Sequence, residues 1–174
     1  MRNESLQNLT IIGLLTALIA VSTMIITIPI PATEGFIHLG DSMIFLAAIL
    51  FGSKKAGLSA GIGSAMADVL LGYTHWALPT LIIKGLMGYG VGVIANQEND
   101  NILNTRNIIA LTFGALCMVT GYFFTGAALK GSFAVALASV PANLIQGFGG
   151  AILFLPLGIA LKRTKIIDKY AIKQ

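Results

Sequence analysis

HLGDSMIFLAAILFGSKKAGLSAGIGSAMADVLLGYTHWALPTLIIKGLMGYGVG, residues His38–Gly92, decides how this chain is built. Three apolar runs follow one another in it. Ser42–Gly52 is short, Gly57–Gly72 is rich in Gly and Ala, and the third continues from Leu78 to Ala95. The pair Lys54-Lys55 separates the first two, and a Gly72–Trp76 turn separates the second and third. A membrane-spanning helix needs about 20 apolar residues at about 1.5 Å each, so the first two runs cross only with tilt, snorkelling or shielding by neighbours.

Working outward, Leu9–Ile28 precedes this stretch and is closed by Pro29 and Pro31, while Ile108–Ala127 and the long Phe133–Leu161 follow it. A break is expected in the last run near Pro141. The first run is too long for a signal-peptide core, and no cleavage pattern follows, so it reads as a retained span. The reading is an all-α membrane protein of six transmembrane helices forming one unit over residues 1–174.

Composition agrees. Of the 174 residues, 56% are hydrophobic and 10% charged, with a mean hydropathy of +0.85; soluble domains carry about 25% charged residues. The net charge of +4 does not mark a nucleic-acid partner, because the cations lie in short patches between apolar runs. With the N-terminus inside, Arg2, Lys54, Lys55, Arg106, Lys162, Arg163, Lys165, Lys169 and Lys173 are cytoplasmic, Lys130 is outside and Lys84 lies within a span. That bias predicts an N-in/C-in topology. The single Cys117 reads as a small hydrophobe inside a span.

Ionisable residues at membrane depth are costly and point to function or pairing. Asp68 and Lys84 both fall within roughly 6–10 Å of the outer surface. Asp68 shares a stripe with Gly57, Gly61, Ser64, Ala65 and Gly72, and Lys84 shares one with Gly88 and Gly92. Small stripes mark close helix approach, so the two charges are expected to face protein and to pair. They either fix packing or line a site. The first outer loop adds Glu34, Phe36, His38 and Asp41, and the second adds Tyr73, His75 and Trp76. Tyr122 ends the fifth span, and Asn143 and Gln146 stand one turn apart in the sixth. Each has a plainer role available: an interface anchor for the aromatics, an interhelical bond for the amides, a helix cap for Asp41. Their gathering on one side favours a substrate site for a small, flat, polar ligand. Gly13/Ala17 and Thr16/Ala20 form overlapping small-xxx-small pairs on the first span, either an internal packing face or a docking seam for another membrane protein.

No phosphate-binding loop, metal-ligand spacing or nucleophile elbow occurs in the sequence. No cofactor, metal or catalytic residue is expected, and the chain is not read as an enzyme. A lipid-acting enzyme would have to use Glu98 and Asp100 in the inner loop, and a self-contained channel or exchanger would need no partner.

The segment His38–Gly92, above all Leu39–Gly52, the Asp68 end of the third span and Ile83-Lys84-Gly85, resembles the substrate-binding S component of energy-coupling factor (ECF) vitamin transporters, riboflavin-type branch. The resemblance implies an outward-facing pocket built from the first outer loop and spans four to six. It also implies a membrane coupling (T) subunit and two ABC ATPases as partners, and a toppling motion on docking. The family's Ala-xxx-Ala seam on the first span has its counterpart in Gly13, Thr16, Ala17 and Ala20. The polar set around Lys84 favours a pyridoxine or hydroxymethylpyrimidine type of ligand over riboflavin.

Overall fold

The computed structural model describes residues 4–30 and 35–164. Helix α1 (Glu4–Ile25) leads into a two-stranded hairpin, β1 (Thr27–Ile30) and β2 (Gly35–His38). Then follow α2 (Gly40–Phe51), α3 (Ser53–Leu70), α4 (Thr74–Ile94), α5 (Thr105–Lys130), the short α6 (Phe133–Leu137) and α7 (Val140–Arg163). Each of the six apolar segments is helical. The sixth is divided at Ala138 and Ser139, and Pro141 stands in the first turn of α7, where its missing N–H costs nothing.

The hairpin departs from the all-α expectation. Its antiparallel register runs from Thr27 opposite His38 to Ile30 opposite Gly35. Strands of four residues are too short to display an alternation that a sequence pattern would reveal.

Four helical stretches are long and apolar enough to cross a membrane: Glu4–Ile25, Thr74–Ile94, Thr105–Lys130 and Phe133–Arg163. Their outward residues, among them Leu14, Leu78, Leu86, Ile109 and Ile152, are exposed, as a lipid-facing surface requires. Helix α2 is different. Ten of its twelve residues are buried, and Ile44, Phe45 and Ile49 form the middle of the core with Ile19, Met87, Val91, Met118 and Phe154. A helix apolar all round belongs inside, and at about 18 Å it is shorter than the ~30 Å hydrocarbon layer.

Helices α3 and α4 pack most closely, and the reason lies in their small residues. A Cβ added to Gly61 would stand 2.7 Å from the Leu81 carbonyl oxygen, and one on Gly88 would stand 2.8 Å from that of Ala56. Lipid tails offer no hydrophobic drive for helices to associate, so backbone approach through such seams supplies the attraction. This seam brings the Asp68 end of α3 beside the first turns of α4.

At the opposite end of the bundle the connection from α4 to α5 is held by side chains. Asn107 is fully buried, accepts from the Asn96 N–H at 2.8 Å and donates to the Ile102 carbonyl at 3.1 Å. Lys162 of α7 donates to the Gln97 carbonyl at 2.8 Å.

Candidate functional site

At the hairpin end, residues of helices α3, α4, α5 and α7 line a cavity of about 70 Å³, several times the ~10–15 Å³ that one water requires. Strand β2 contributes Phe36 and His38, α3 contributes Asp68, and α4 contributes Trp76 and Thr80. Helix α5 adds Tyr122, Gly126 and Lys130. Val135, Ala136 and Ser139 come from the α6 segment, Asn143 and Gln146 from α7. Trp76 meets the Tyr122 ring edge-on at 5.8 Å, and Phe36 leans on Tyr73 at 4.8 Å. The Thr80 and Tyr122 hydroxyls are 3.0 Å apart.

Beside the cavity lies a buried polar cluster. Lys84 forms a direct ion pair with Asp41, both side chains wholly inaccessible to solvent. Lys84 Nζ also reaches the Met118 sulfur at 2.9 Å and lies 5.5 Å from the centre of the Tyr122 ring. Gln146 Nε2 donates to the other Asp41 oxygen at 3.2 Å, and its Oε1 accepts the His38 backbone N–H at 3.1 Å. The cluster thus ties α2, α4, α5 and α7 to the hairpin.

This corrects the expected pairing of Lys84 with Asp68. Lys84 takes Asp41 instead, because α2 runs through the middle of the bundle and delivers its first turn to the buried face of α4. Asp41 does not cap its helix either: Leu39 holds the N-cap position with no side-chain cap bond. Asp68, 5% exposed, is left with its Oδ2 buried and unpartnered among the described residues. The Trp76 indole Nε1 is in the same condition. Buried polar atoms are nearly always satisfied, so an orphaned acceptor and an orphaned donor on the walls of one cavity identify unmet bonding capacity there.

His38 also lines the cavity. Its Nδ1 accepts the Gly40 N–H at 3.0 Å, which places the proton of the neutral ring on Nε2. Gln146 Nε2 lies 3.3 Å from His38 Nε2, so the ring edge is held against the amide. Burial lowers the His38 pKa to about 4; Asp41's charge opposes the shift and Lys84's reinforces it. The ring is therefore neutral at physiological pH. Gly40 is required here: a Cβ on it would come within 2.9 Å of His38 Nδ1 and collide with the Thr23 hydroxyl.

Of the residues singled out from the sequence, Phe36, His38, Asp68, Trp76, Tyr122, Asn143 and Gln146 line the cavity. Asp41 and Lys84 form the ion pair outside the lining. His75 is exposed and packs on Trp76 at 5.9 Å. Glu34 lies outside the described residues. Sequence reasoning missed Thr80, Met118, Gly126, Lys130, Val135, Ala136 and Ser139. A signal existed for some of them: Trp76, Thr80 and Lys84 recur every four residues, as do Met118, Tyr122, Gly126 and Lys130, so each set shares one helix face.

The first-span seam is divided. Gly13 and Ala17 are exposed, and a Cβ on Gly13 would meet nothing within 4 Å. Thr16 is half-buried and Ala20 buried. A Cβ on Gly63 would stand 2.7 Å from the Thr16 carbonyl oxygen, so that face of α1 is occupied by α3.

Comparison with known proteins agrees with this architecture. The family model described as ECF-type riboflavin transporter, S component, matches residues 3–163. The thiamine precursor transporter HmpT of Lactococcus lactis is 29% identical over 171 residues, 98% of this chain and 96% of that protein. An uncharacterized protein from the gap 3' region of Pyrococcus woesei is 39% identical over 83% of this chain and 95% of its own length. A UPF0397 protein of an Exiguobacterium species is 30% identical over 56% of this chain and 54% of its own. A bundle with an apolar exterior, a cavity of mixed aromatic and polar lining at one end and a family match along nearly its whole length leads to one assignment: the chain belongs to the ECF-type riboflavin transporter S-component family, as a multi-pass membrane subunit that binds a transporter's substrate.

Proposed function

We propose that the chain captures a single-ring heteroaromatic vitamin or precursor, of the pyridoxine or hydroxymethylpyrimidine type, outside the cell for ATP-driven uptake. The observation that carries this reading is the orphaned pair at the cavity: Asp68 Oδ2 and Trp76 Nε1 are buried, unpartnered among the described residues and accompanied by the rings of Phe36 and Tyr122. A flat ligand with its own donor and acceptor completes both bonds. The relative named for a thiamine precursor supports a small ligand. Riboflavin, the vitamin in the family's name, is the alternative.

In this reading residues 1–174 form one unit that crosses the membrane six times with both ends inside. The sorting of cations supports that topology, and the enclosure of α2 by protein explains how so short a helix fits. Energy comes from a membrane coupling subunit and two ABC ATPases, in keeping with the family and with the lack of a phosphate-binding loop in this sequence. The exposed Gly13/Ala17 stripe is the candidate docking seam.

Two measurements test the proposal. Purified protein in detergent is titrated with a panel of vitamins and precursors, and the compounds that co-purify are identified by mass spectrometry. Saturable binding of one single-ring heteroaromatic supports the reading, and silence across the panel refutes it. Ala17→Trp, at an exposed position, is expected to leave binding unchanged and to abolish uptake in cells carrying the coupling complex; equal loss of both would make the stripe an internal contact.

A further inference from the structure

We infer that Thr80 is a positioning residue of the cavity: its hydroxyl fixes the Tyr122 phenol and so presents that phenol to a bound molecule in one orientation. The inference rests on the vitamin-binding reading above and adds a residue through which the site is preorganised. A threonine inside a helix can donate back to the carbonyl four residues earlier, and Thr16, Thr23 and Thr112 do so at 2.8, 2.8 and 3.0 Å. Thr80, 3% exposed, directs its hydroxyl across to the next helix instead, where it lies 3.0 Å from Tyr122 Oη.

Three successive turns of α4 grip this one tyrosine of α5. The Trp76 ring meets it at 5.8 Å, the Thr80 hydroxyl reaches its Oη, and Lys84 Nζ lies 5.5 Å from the ring centre. Residues four apart share a helix face, so all three belong to the face that α4 turns to α5. Close approach of the two helices makes the reach possible: a Cβ on the neighbouring Gly121 would stand 2.9 Å from the Ile83 side chain. Trp76 and Lys84 restrain the ring, whereas Thr80 is the one of the three that bonds its hydroxyl. A hydroxyl holds one proton and two lone pairs. The mutual bond therefore uses one O–H of the pair and leaves the other for the cavity, which both residues line. A phenol already held in place costs less ordering on binding than one fixed only at that moment.

Trp76 is the chain's one tryptophan, and it lines the cavity, so its emission reads occupancy without a label. The purified full chain is titrated with 4-amino-5-hydroxymethyl-2-methylpyrimidine, pyridoxine and riboflavin, and the tightest binder of the three is the probe for the variants. Thr80→Val, which keeps the shape and deletes the hydroxyl, is expected to weaken the probe about tenfold, the scale of one buried hydrogen bond. Thr80→Ser should bind as the unsubstituted protein does. Tyr122→Phe should lose at least as much as Thr80→Val, and adding Thr80→Val to it should cost nothing further, because the two residues act through one bond. Should Thr80→Val fail to fold, Thr80→Ala takes its place in the same cycle. Unchanged affinity in Thr80→Val, a loss that Thr80→Ser does not recover, or losses that multiply in the double variant would overturn the inference and leave the vitamin-binding role standing. Failure of the unsubstituted protein to bind any of the three, or any other vitamin, would remove both.

Discussion

Two buried aspartates, one near the start of α2 and one near the end of α3, sit at the same end of this molecule in opposite conditions. Asp41 is fully enclosed, with one oxygen on Lys84 and the other on the Gln146 amide. Asp68 is almost as deeply buried, yet one of its oxygens has no partner among the described residues. Removing a charge from water costs several kcal/mol and is recovered only where geometry and bonding are complete. The Asp41 region is complete, and its role is to hold four helices and the hairpin in register. In the Asp68 region that oxygen stands unpartnered among the described residues on the wall of a cavity, and in the proposed function a ligand completes it. Satisfaction of bonding capacity, more than depth or charge, distinguishes the two aspartates.

The comparison can be broken most forcefully at the ion pair. Asp41→Ala leaves Lys84 buried and uncompensated and is expected to destabilise the protein by about 3–5 kcal/mol, read as a large drop in the thermal midpoint in detergent. The double variant Asp41→Leu/Lys84→Met should recover most of that loss, because an apolar pair of similar volume removes the desolvation cost; a double variant as unstable as the single one would show that the pair is not self-contained.

Acid comes next. The His38 pKa is lowered from 6.5 to about 4 by burial. The buried neutral ring therefore contributes fully above pH 6.5, and its contribution is lost as pH falls from there through 4, by roughly 3 kcal/mol. A midpoint measured along that interval should decline, and the decline should flatten in His38→Asn. Gln146→Leu is expected to cost about 1–3 kcal/mol, since it frees the hairpin backbone N–H and one Asp41 oxygen. It should also weaken ligand binding through the displaced His38.

The smallest stability effect belongs to Asp68→Ala. Deleting a partly unsatisfied buried carboxyl is expected to move stability by less than about 1 kcal/mol in either direction. Binding should fall severely all the same, and that split between stability and binding is what marks a site. A destabilisation matching Asp41→Ala would place Asp68 in the scaffold as well.

Much of this was legible in the residues. Asp68 and Lys84 stood out because ionisable groups are rare at membrane depth, and the Gly57/Gly61 and Gly88/Gly92 stripes announced a close α3–α4 contact. The partner of Lys84 was not legible. Asp41 lies 43 positions earlier in the chain, on a helix whose path through the centre no local pattern encodes, whereas Asp68 lay at a matching depth on the neighbouring span. The hairpin escaped notice because its strands are too short for periodicity. Val135, Ala136 and Gly126 escaped because small apolar residues look alike whether they face lipid, core or cavity.

By itself the sequence determined that this is a helical membrane protein with its polar and aromatic groups gathered at one end, since hydropathy, charge spacing and helical period are local quantities that the bilayer enforces directly. Only the tertiary structure decided which aspartate neutralises Lys84, which one lines the cavity, and which half of the first-span stripe is exposed. Those outcomes depend on how helices distant in sequence cross and abut, and a buried hydrogen bond is satisfied or orphaned by displacements of about an ångström.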